Sequence, residues 1–508
     1  MKRHWPLVLS TLTAVALSAC ATSPLANASA ADARVEAVAS AMTDGTAAAA
    51  ADPAASQAAS VGTGAPAGGA GSSSARFSTD DAVPITLGDQ IVIGGPGATV
   101  SGNTVTITDA GAYRIAGTLA DGQVVVRAAD NAKVTLVLEG ARISSSSGAP
   151  LAVMSDTDLT LVLADGSESF LSDAASYVLP AGADEPNGAL FAKGDLTIDG
   201  AGALTIDAKY QHAIRGKDDI TIDGGNITLT SKGDAVNSNN DLTLNSGRIS
   251  ISAGDDALHA DLKLTINDGS ISIGRSYEAI ESEQITINGG TIYAASSNDA
   301  INISAAGAAP AGGGRGAPAA GTAATAAPRL LTINGGYVVL DASAGDGLDS
   351  NGSISMTGGT VIVHGAPINM EAPIDYDASF TMTGGTIVAA GSAGMAQAPG
   401  GTSTQNSVMV TFPAMQPAGT LVHLAGEDGK NVLTFAPPKA FQSLVLSSPD
   451  LRLGATYRVS TGGSAAGTPV DGLYAAGPQS AGTEFVSFTV TGPVTRAGAA
   501  GVARVGRR

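Results

Sequence analysis

Between residues 196 and 385 the chain alternates apolar and polar positions in short runs, such as Leu264-Thr265-Ile266 and then Ser270-Ile271-Ser272-Ile273. A period of two predicts strands, not helices. Asn-Gly and Gly-Gly pairs stand between the runs and supply the positive φ that sharp corners need. The runs recur at a fixed interval. A small residue followed by an apolar one appears at Ala213-Ile214, Ala235-Val236, Ala257-Leu258, Ala279-Ile280 and Ala300-Ile301, at steps of 22, 22, 22 and 21 residues. The next copy, Gly347-Leu348, follows after 47 residues, because an Ala/Gly-rich insertion at 305–328 intervenes. A second column keeps the same register: Asp223-Gly224-Gly225, Asn245-Ser246-Gly247, Asn267-Asp268-Gly269, Asn288-Gly289-Gly290, Asn334-Gly335-Gly336, Thr357-Gly358-Gly359 and Thr383-Gly384-Gly385.

A fixed period of this length signals a solenoid. Three short strands per copy make one triangular coil, and stacked coils pair in parallel about 4.8 Å apart. The fold class predicted is all-β, a right-handed parallel β-helix over residues 78–402. The leucine-rich-repeat phrase and the GGxGxD runs of a calcium β-roll are absent from the sequence. Inward Ile, Val and Leu are expected to pile up between coils. The corner asparagines, from Asn245 to Asn334, are expected to form a ladder of side-chain amides. Apolar runs at 134–138, 159–163 and 196–198 read as earlier, less regular coils, and 172–187 as a loop projecting from one side. The period is lost over 403–490, which reads as a C-terminal β subdomain or cap, followed by a flexible tail at 491–508.

The N-terminus sets the expected address. Lys2, Arg3 and His4 precede an apolar run ending in Leu17-Ser18-Ala19-Cys20. This resembles a lipoprotein signal with its lipobox, and implies cleavage before Cys20 and lipid on its thiol. Cys20 is the only cysteine, so no disulfide braces the fold. Residues 21–77 are Ala, Ser and Gly with little else and read as a disordered tether. The expectation is a monomer in the bacterial cell envelope, lipid-anchored at the outer membrane or cell surface. Ala21, in place of an aspartate after the cysteine, favours outer-membrane sorting. A net charge of −19 disfavours nucleic acid as a partner.

The order of phrases resembles a family of secreted carbohydrate-binding domain proteins related in fold to pectate lyases. The stretches that carry the resemblance are AYRIAGTLADGQVVV (112–126), NGALFAKGDLTIDGAGALTI (187–206), HAIRGKDDITIDGG (212–225), GDGLDSNGSISMTGGTVIVHGAP (345–367) and FTMTGGTIVAAGSAGM (380–395). It covers residues 83 to 460 or so. The resemblance implies a calcium-containing β-helix that binds cellulose-like or acidic polysaccharide, without a settled catalytic activity. The Ala/Gly-rich insertion and Lys217-Asp218 depart from the pattern.

The chemistry is expected in an acidic column. Asp234, Asp256, Glu278, Asp299 and Asp346 precede the small-apolar pair, and Asn237, His259, Glu281, Asn302 and Asp349 follow its small member by two. Carboxylates stacked one coil apart repel by about 1 kcal/mol per pair in water and by several at lower effective dielectric. Calcium, a hard cation that tolerates irregular oxygen cages, would relieve them. The densest cluster is Asp346, Asp349 and Asn351, with Asp375 and Asp377 one coil on; Asp255, Asp256, Glu278, Glu281 and Asp299 come next, with Asp234. Scattered histidines without a thiol argue against zinc. Tyr210, Tyr277, Arg215 and Lys217 are the expected ligand contacts, and Tyr293, Tyr337 and Tyr376 either line a groove or cover coil edges. A lyase would need a base, for which Lys209, Arg215, Lys217 and Lys232 are the candidates, each equally a surface counter-charge. The function expected is calcium-dependent binding of extracellular polysaccharide, the alternatives being a β-eliminating lyase and a structural or adhesive envelope protein.

Overall fold

A computed structural model describes residues 81–304, 328–475, 477–480 and 482–499. The signal segment with Cys20, the tether at 21–77, the insertion at 305–327 and the tail beyond 499 lie outside the described residues.

The described chain is all-β and contains no helix. One mixed but mostly parallel sheet of 35 strands carries most of it. Each strand pairs with its counterpart one repeat later. Val236–Ser238 lies beside Leu258–Ile266, Asp241–Leu244 beside the later half of that strand, and Arg248–Ser252 beside Ser270–Arg275. The repeat of about 22 residues is therefore one turn of a solenoid-like stack. The apolar runs at 134–138, 159–163 and 196–198 are stacked in the same way, through Val134↔Leu159 and Leu159↔Leu196.

The corners follow from glycine. Gly247, Gly269, Gly290, Gly336, Gly359 and Gly385 all take positive φ. A Cβ on Gly336 would also come within 2.9 Å of the Gly289 carbonyl on the coil below. Such a corner admits only glycine, because a side chain meets both strain and backbone.

Inside, Ile214, Val236, Leu258, Ile280, Ile301, Leu348 and Ile374 form a continuous column with no solvent exposure. Each such burial is worth roughly 1.5–3 kcal/mol. At the second corner the amide ladder runs as the sequence predicts. Asn245 Nδ2 donates to Asp223 Oδ1 (2.7 Å), Asn267 to Asn245 (2.7 Å), Asn288 to Asn267 (2.7 Å) and Asn334 to Asn288 (2.9 Å). Thr357 Oγ1 closes the series on Asn334 Oδ1 (2.8 Å).

Both ends are covered. At the start, Val83–Leu87 pairs with Gly111–Leu119 and with the short antiparallel strand Val92–Ile93. At the finish, Phe441–Ser447 runs antiparallel to Thr386–Gly391 and to Ser407–Gln416. A separate four-stranded sheet, from Val422–Gly426 to Thr483–Thr489, follows. A second core lies on the outer face of the stack, where Tyr293, Tyr337, Val339, Ile362 and Val388 are buried with Phe412 and Phe441 of the large sheet and Phe435 of the small one. Open parallel edges invite pairing with other chains, and these covers remove them.

Residues 172–187 form a largely exposed segment on one side, with Val178 81% exposed, and it is tied down at a few points. Tyr177 packs on Ala149, Ala152 and Phe191, Val178 N donates to the Ser147 carbonyl (2.8 Å), and Glu185 meets Lys217 Nζ (2.8 Å). The apolar Ala152–Phe191 pair on the outer face of neighbouring coils gives the segment something to cover.

Asn288→Ala is expected to lower stability by about 1–3 kcal/mol, because the change removes two ladder bonds, each worth about 0.5–1.5 kcal/mol. Urea unfolding of the variant and the wild type checks this through the shift in midpoint at constant m.

Candidate functional site

The paired stretch that opens each coil is three residues long, with its middle residue outward. Register pairing strings these middle residues into one row: Arg215, Asn237, His259, Glu281, Asn302, Asp349 and Asp375. Beside it, at the corner before the strand, runs the second row: Asp234, Asp256, Glu278, Asp299 and Asp346. The two rows make a narrow polar strip on one face.

The corner carboxylates have a structural task that spacing alone did not reveal. The amide of Asp256 donates to Asp234 Oδ1 (3.1 Å), that of Glu278 to Asp256 Oδ1 (3.2 Å), that of Asp346 to Asp299 Oδ1 (2.6 Å) and that of Ala372 to Asp346 Oδ1. These four aspartates, Asp234, Asp256, Asp299 and Asp346, each accept the N–H of the same corner on the next coil. The recurring acid before the small residue is the sequence signal for this acceptor, so part of the mutual repulsion is offset by backbone dipoles.

Three groupings bring ligand atoms within 4.8 Å of one another: Asp234 with Asp255 and Asp256; Asp256 with His259 and Glu281; and Asp346 with Asp349 and Asp375. In the first, His212 Nδ1 lies 3.4 Å from Asp234 Oδ2, and Asn237 Nδ2 donates to the same oxygen. In the second, His259 fills the centre. Glu278 is held between Asn302 Nδ2 (2.7 Å) and Asn298 Nδ2 (3.2 Å). Asn351 and Asp377 sit exposed at the following corner, outside these groupings.

Asn302 joins the second and third groupings. Its Nδ2 donates to Glu278 Oε2, and to Glu281 Oε1 at 3.4 Å, both on the preceding coil. Its Oδ1 is buried without a hydrogen-bond partner, in a side chain only 9% exposed. With the amide nitrogen committed to the preceding coil, the oxygen is left for the following one, where Asp349 is the register partner. A buried acceptor of this kind costs roughly 1–3 kcal/mol unless a donor or a cation meets it.

Electrostatics follow burial. Desolvation, with Glu281, Asp256 and Asp299 nearby, pushes Glu278 up to about 9. Desolvation with Asp299, Asp349 and Asp375 nearby pushes Asp346 up to about 9, and desolvation raises Asp299 to about 6. Burial alone would lower His259, but hydrogen bonds to Asp256, Asp261 and Glu281 hold it up to about 12. Burial would raise Glu281 and Asp234, but each stays low, through His259 and His212 respectively as the first partners.

Of the expected ligand contacts, Tyr210, Arg215 and Lys217 lie at the other end. Tyr210 stacks on Tyr177 at 4.3 Å between ring centroids, and Lys217 is engaged by Glu185. Arg215 is buried and hydrogen-bonds the Gly216 carbonyl, Asn237 and Asn239, so its guanidinium clamps two coils together. Tyr277 is half-buried at the corner beside Glu278. Of the bases considered for a lyase, Lys209 meets Ser172 Oγ (2.7 Å) and Asp207 (3.4 Å), while Lys232 is exposed. His259 and Asn302 are the strip residues whose roles the sequence left undrawn. Tyr293 and Tyr337 lie under the terminal subdomain, and Tyr376 donates to the Ala398 carbonyl.

The family model for carbohydrate-binding domain-containing proteins matches residues 101–370, which include the row from Arg215 to Asp349 and stop short of Asp375. A carbohydrate-binding domain-containing protein of Acetivibrio thermocellus is 37% identical over 134 residues, 26% of this chain and 47% of that protein. The chain thus spans about half the length of that relative. A solved structure of a polysaccharide lyase-like protein from C. thermocellum, a gadolinium derivative, is 23% identical, covers 60% of this chain and 93% of its own, and superposes with a TM-score of 0.33.

The raised groups set a sign for pH dependence. Glu278, Asp299 and Asp346 are protonated in the fold above the pH at which they ionise when unfolded, so their contribution is present near pH 4–5 and is lost as pH rises through about 6 to 9. His259 acts in the same direction, over the window from its ordinary value up to about 12. In chelator, thermal melts are expected to show a lower Tm at pH 8.5 than at pH 5.5, with the slope flattened in Glu278→Gln/Asp346→Asn. A Tm that climbs over that interval contradicts this electrostatic picture.

Proposed function

The chain belongs to the carbohydrate-binding domain-containing protein family, and from that premise we propose that it binds extracellular polysaccharide with calcium held in its strip. The proposed architecture is a right-handed parallel β-helix, its hand following the general preference of parallel crossovers. The observation that carries the calcium reading is the buried, unpartnered Oδ1 of Asn302, set beside Asp349 in a grouping of Asp346, Asp349 and Asp375. The donors are all oxygens, and the grouping is carboxylate-rich and partly buried, which suits a hard cation such as calcium. Bound calcium would neutralise Asp346 and its neighbours and satisfy the Asn302 oxygen.

A chain with a net charge of −19 repels an acidic glycan, so a cation shared with a uronate carboxylate would serve attachment as well as stability. A neutral, cellulose-like chain needs no such bridge. The engaged states of Lys209 and Lys217 and the burial of Arg215 favour binding over β-elimination. The proposal includes the envelope address: a lipid on Cys20 and a tether that holds a monomeric domain at the outer membrane or cell surface.

Isothermal titration with calcium tests the ion. Asn302→Leu is expected to weaken binding about tenfold or more, and equal affinity in the two proteins sinks the ligand assignment. Pull-down on insoluble glucan and on polygalacturonate, with and without EDTA, tests the glycan. Retention on polygalacturonate is expected to be lost in EDTA; retention that survives the chelator contradicts bridging, and no retention on either material contradicts glycan binding.

A further inference from the structure

We propose that Gln397 is a positioning residue of the calcium grouping, and that through it the ion is linked to the segment joining the stack to the terminal subdomain. The proposal rests on the calcium reading above. It starts from a continuation of the outward row. Gln397 follows Asp375 by one repeat of 22 residues, and its N–H donates to the Ile374 carbonyl (3.1 Å). The row therefore runs past Asp375 onto a stretch that is no strand, and there it ends in an amide only 9% exposed.

Glutamine is seldom buried unless its amide is occupied. Gln397 Nε2 donates to Asp375 Oδ1 and to the Tyr376 carbonyl (3.1 Å). Both partners are acceptors, and a backbone carbonyl accepts at any pH. The nitrogen of the amide, not its oxygen, must therefore face this coil. Asp375 Oδ1 also accepts the Tyr376 N–H (3.1 Å). Two donors on one oxygen hold the carboxylate in a single orientation, and Asp375 belongs to the grouping with Asp346 and Asp349.

Two buried amides thus bracket that grouping. On the coil before it, Asn302 commits its nitrogen to Glu278 and Glu281 and leaves Oδ1 unmet. Beyond it, Gln397 commits its nitrogen to Asp375. The first amide offers a ligand, and the second orients one. Carboxylates that hold a metal are commonly fixed by such outer hydrogen bonds, and losing one costs about 10–100-fold in affinity.

The segment around Gln397 is itself held by the last coil. Tyr376 Oη donates to the Ala398 carbonyl (2.9 Å), the Gly400 N–H to the Phe380 carbonyl (2.6 Å) and the Thr404 N–H to the Met382 carbonyl (3.1 Å). It leads into Ser407–Gln416, which pairs with Phe441–Ser447 at the finish of the stack. Linkage is reciprocal, so a side chain that favours the ion is ordered by the ion in turn. The family match ends at residue 370, so this contribution comes from chain outside the matched part.

The test is calcium titration of wild type, Gln397→Met and Thr402→Val. Gln397→Met keeps the length of the side chain and removes the donor. Thr402→Val removes a contact of the same segment, with Thr381 (2.8 Å), that does not reach Asp375. Gln397→Met is expected to bind calcium about tenfold more weakly, and Thr402→Val as wild type does. Wild-type affinity in Gln397→Met overturns this proposal alone. Equal weakening in the two variants makes Gln397 a structural tie and overturns it as well. A wild type that takes no calcium overturns the calcium reading and this proposal together. Amide hydrogen exchange of the wild type needs no variant to fold. Calcium is expected to slow exchange at Gln397, Gly400 and Thr404 several-fold, and unchanged rates in the calcium-loaded protein overturn the linkage.

Discussion

A strand of three residues cannot hold itself together in water. The strands here are stable because each lies hydrogen-bonded between its counterparts on the coils below and above, with every position repeated one coil later. That vertical register is the constraint on which the rest depends. It turns a residue into a column: Ile214 to Ile374 becomes a solid core, Asn245 to Asn334 a chain of amides, and the acids from Asp234 to Asp346 a rail. It also multiplies whatever a column costs. One exposed carboxylate is cheap, whereas five in a stack need amide donors, a histidine or an ion.

The register was legible because it is written as periodicity. Steps of 22 residues, glycine at the corner and a repeated asparagine follow directly from stacking, since each coil meets the same geometry as the one before. Features that occur once had no such support. The segment at 172–187 reads as polar and irregular, yet its Tyr177 packs on Ala152 and Phe191, a pairing visible only after the coils are aligned. Tyr293 and Tyr337 look like candidates for a groove until the terminal subdomain, far along the sequence, settles on them.

The acidic column is visible in the sequence, but only its repulsive side is. Repulsion between stacked acids is a pairwise sum that spacing suggests at once. The compensating bonds, from the amides of Asp256, Glu278 and Asp346, require knowing that the corner turns each carboxylate toward the next coil. Similarly, His259 stood in the column as one histidine among acids, and its meaning depends on Asp261, which reaches its second nitrogen from a neighbouring position. The strip therefore combines two solutions to one electrostatic problem: fixed donors along most of its length, and an all-oxygen grouping at one end. Under the proposed function, a cation at that end would join the protein to an anionic sugar chain.

The most direct measurement is the structure of the calcium-loaded protein by diffraction, with anomalous signal identifying the metal. The account predicts coils in vertical register, with an ion among Asp346, Asp349, Asp375 and Asn302 Oδ1. Calcium found away from the strip while Asn302 Oδ1 stays unmet would contradict it.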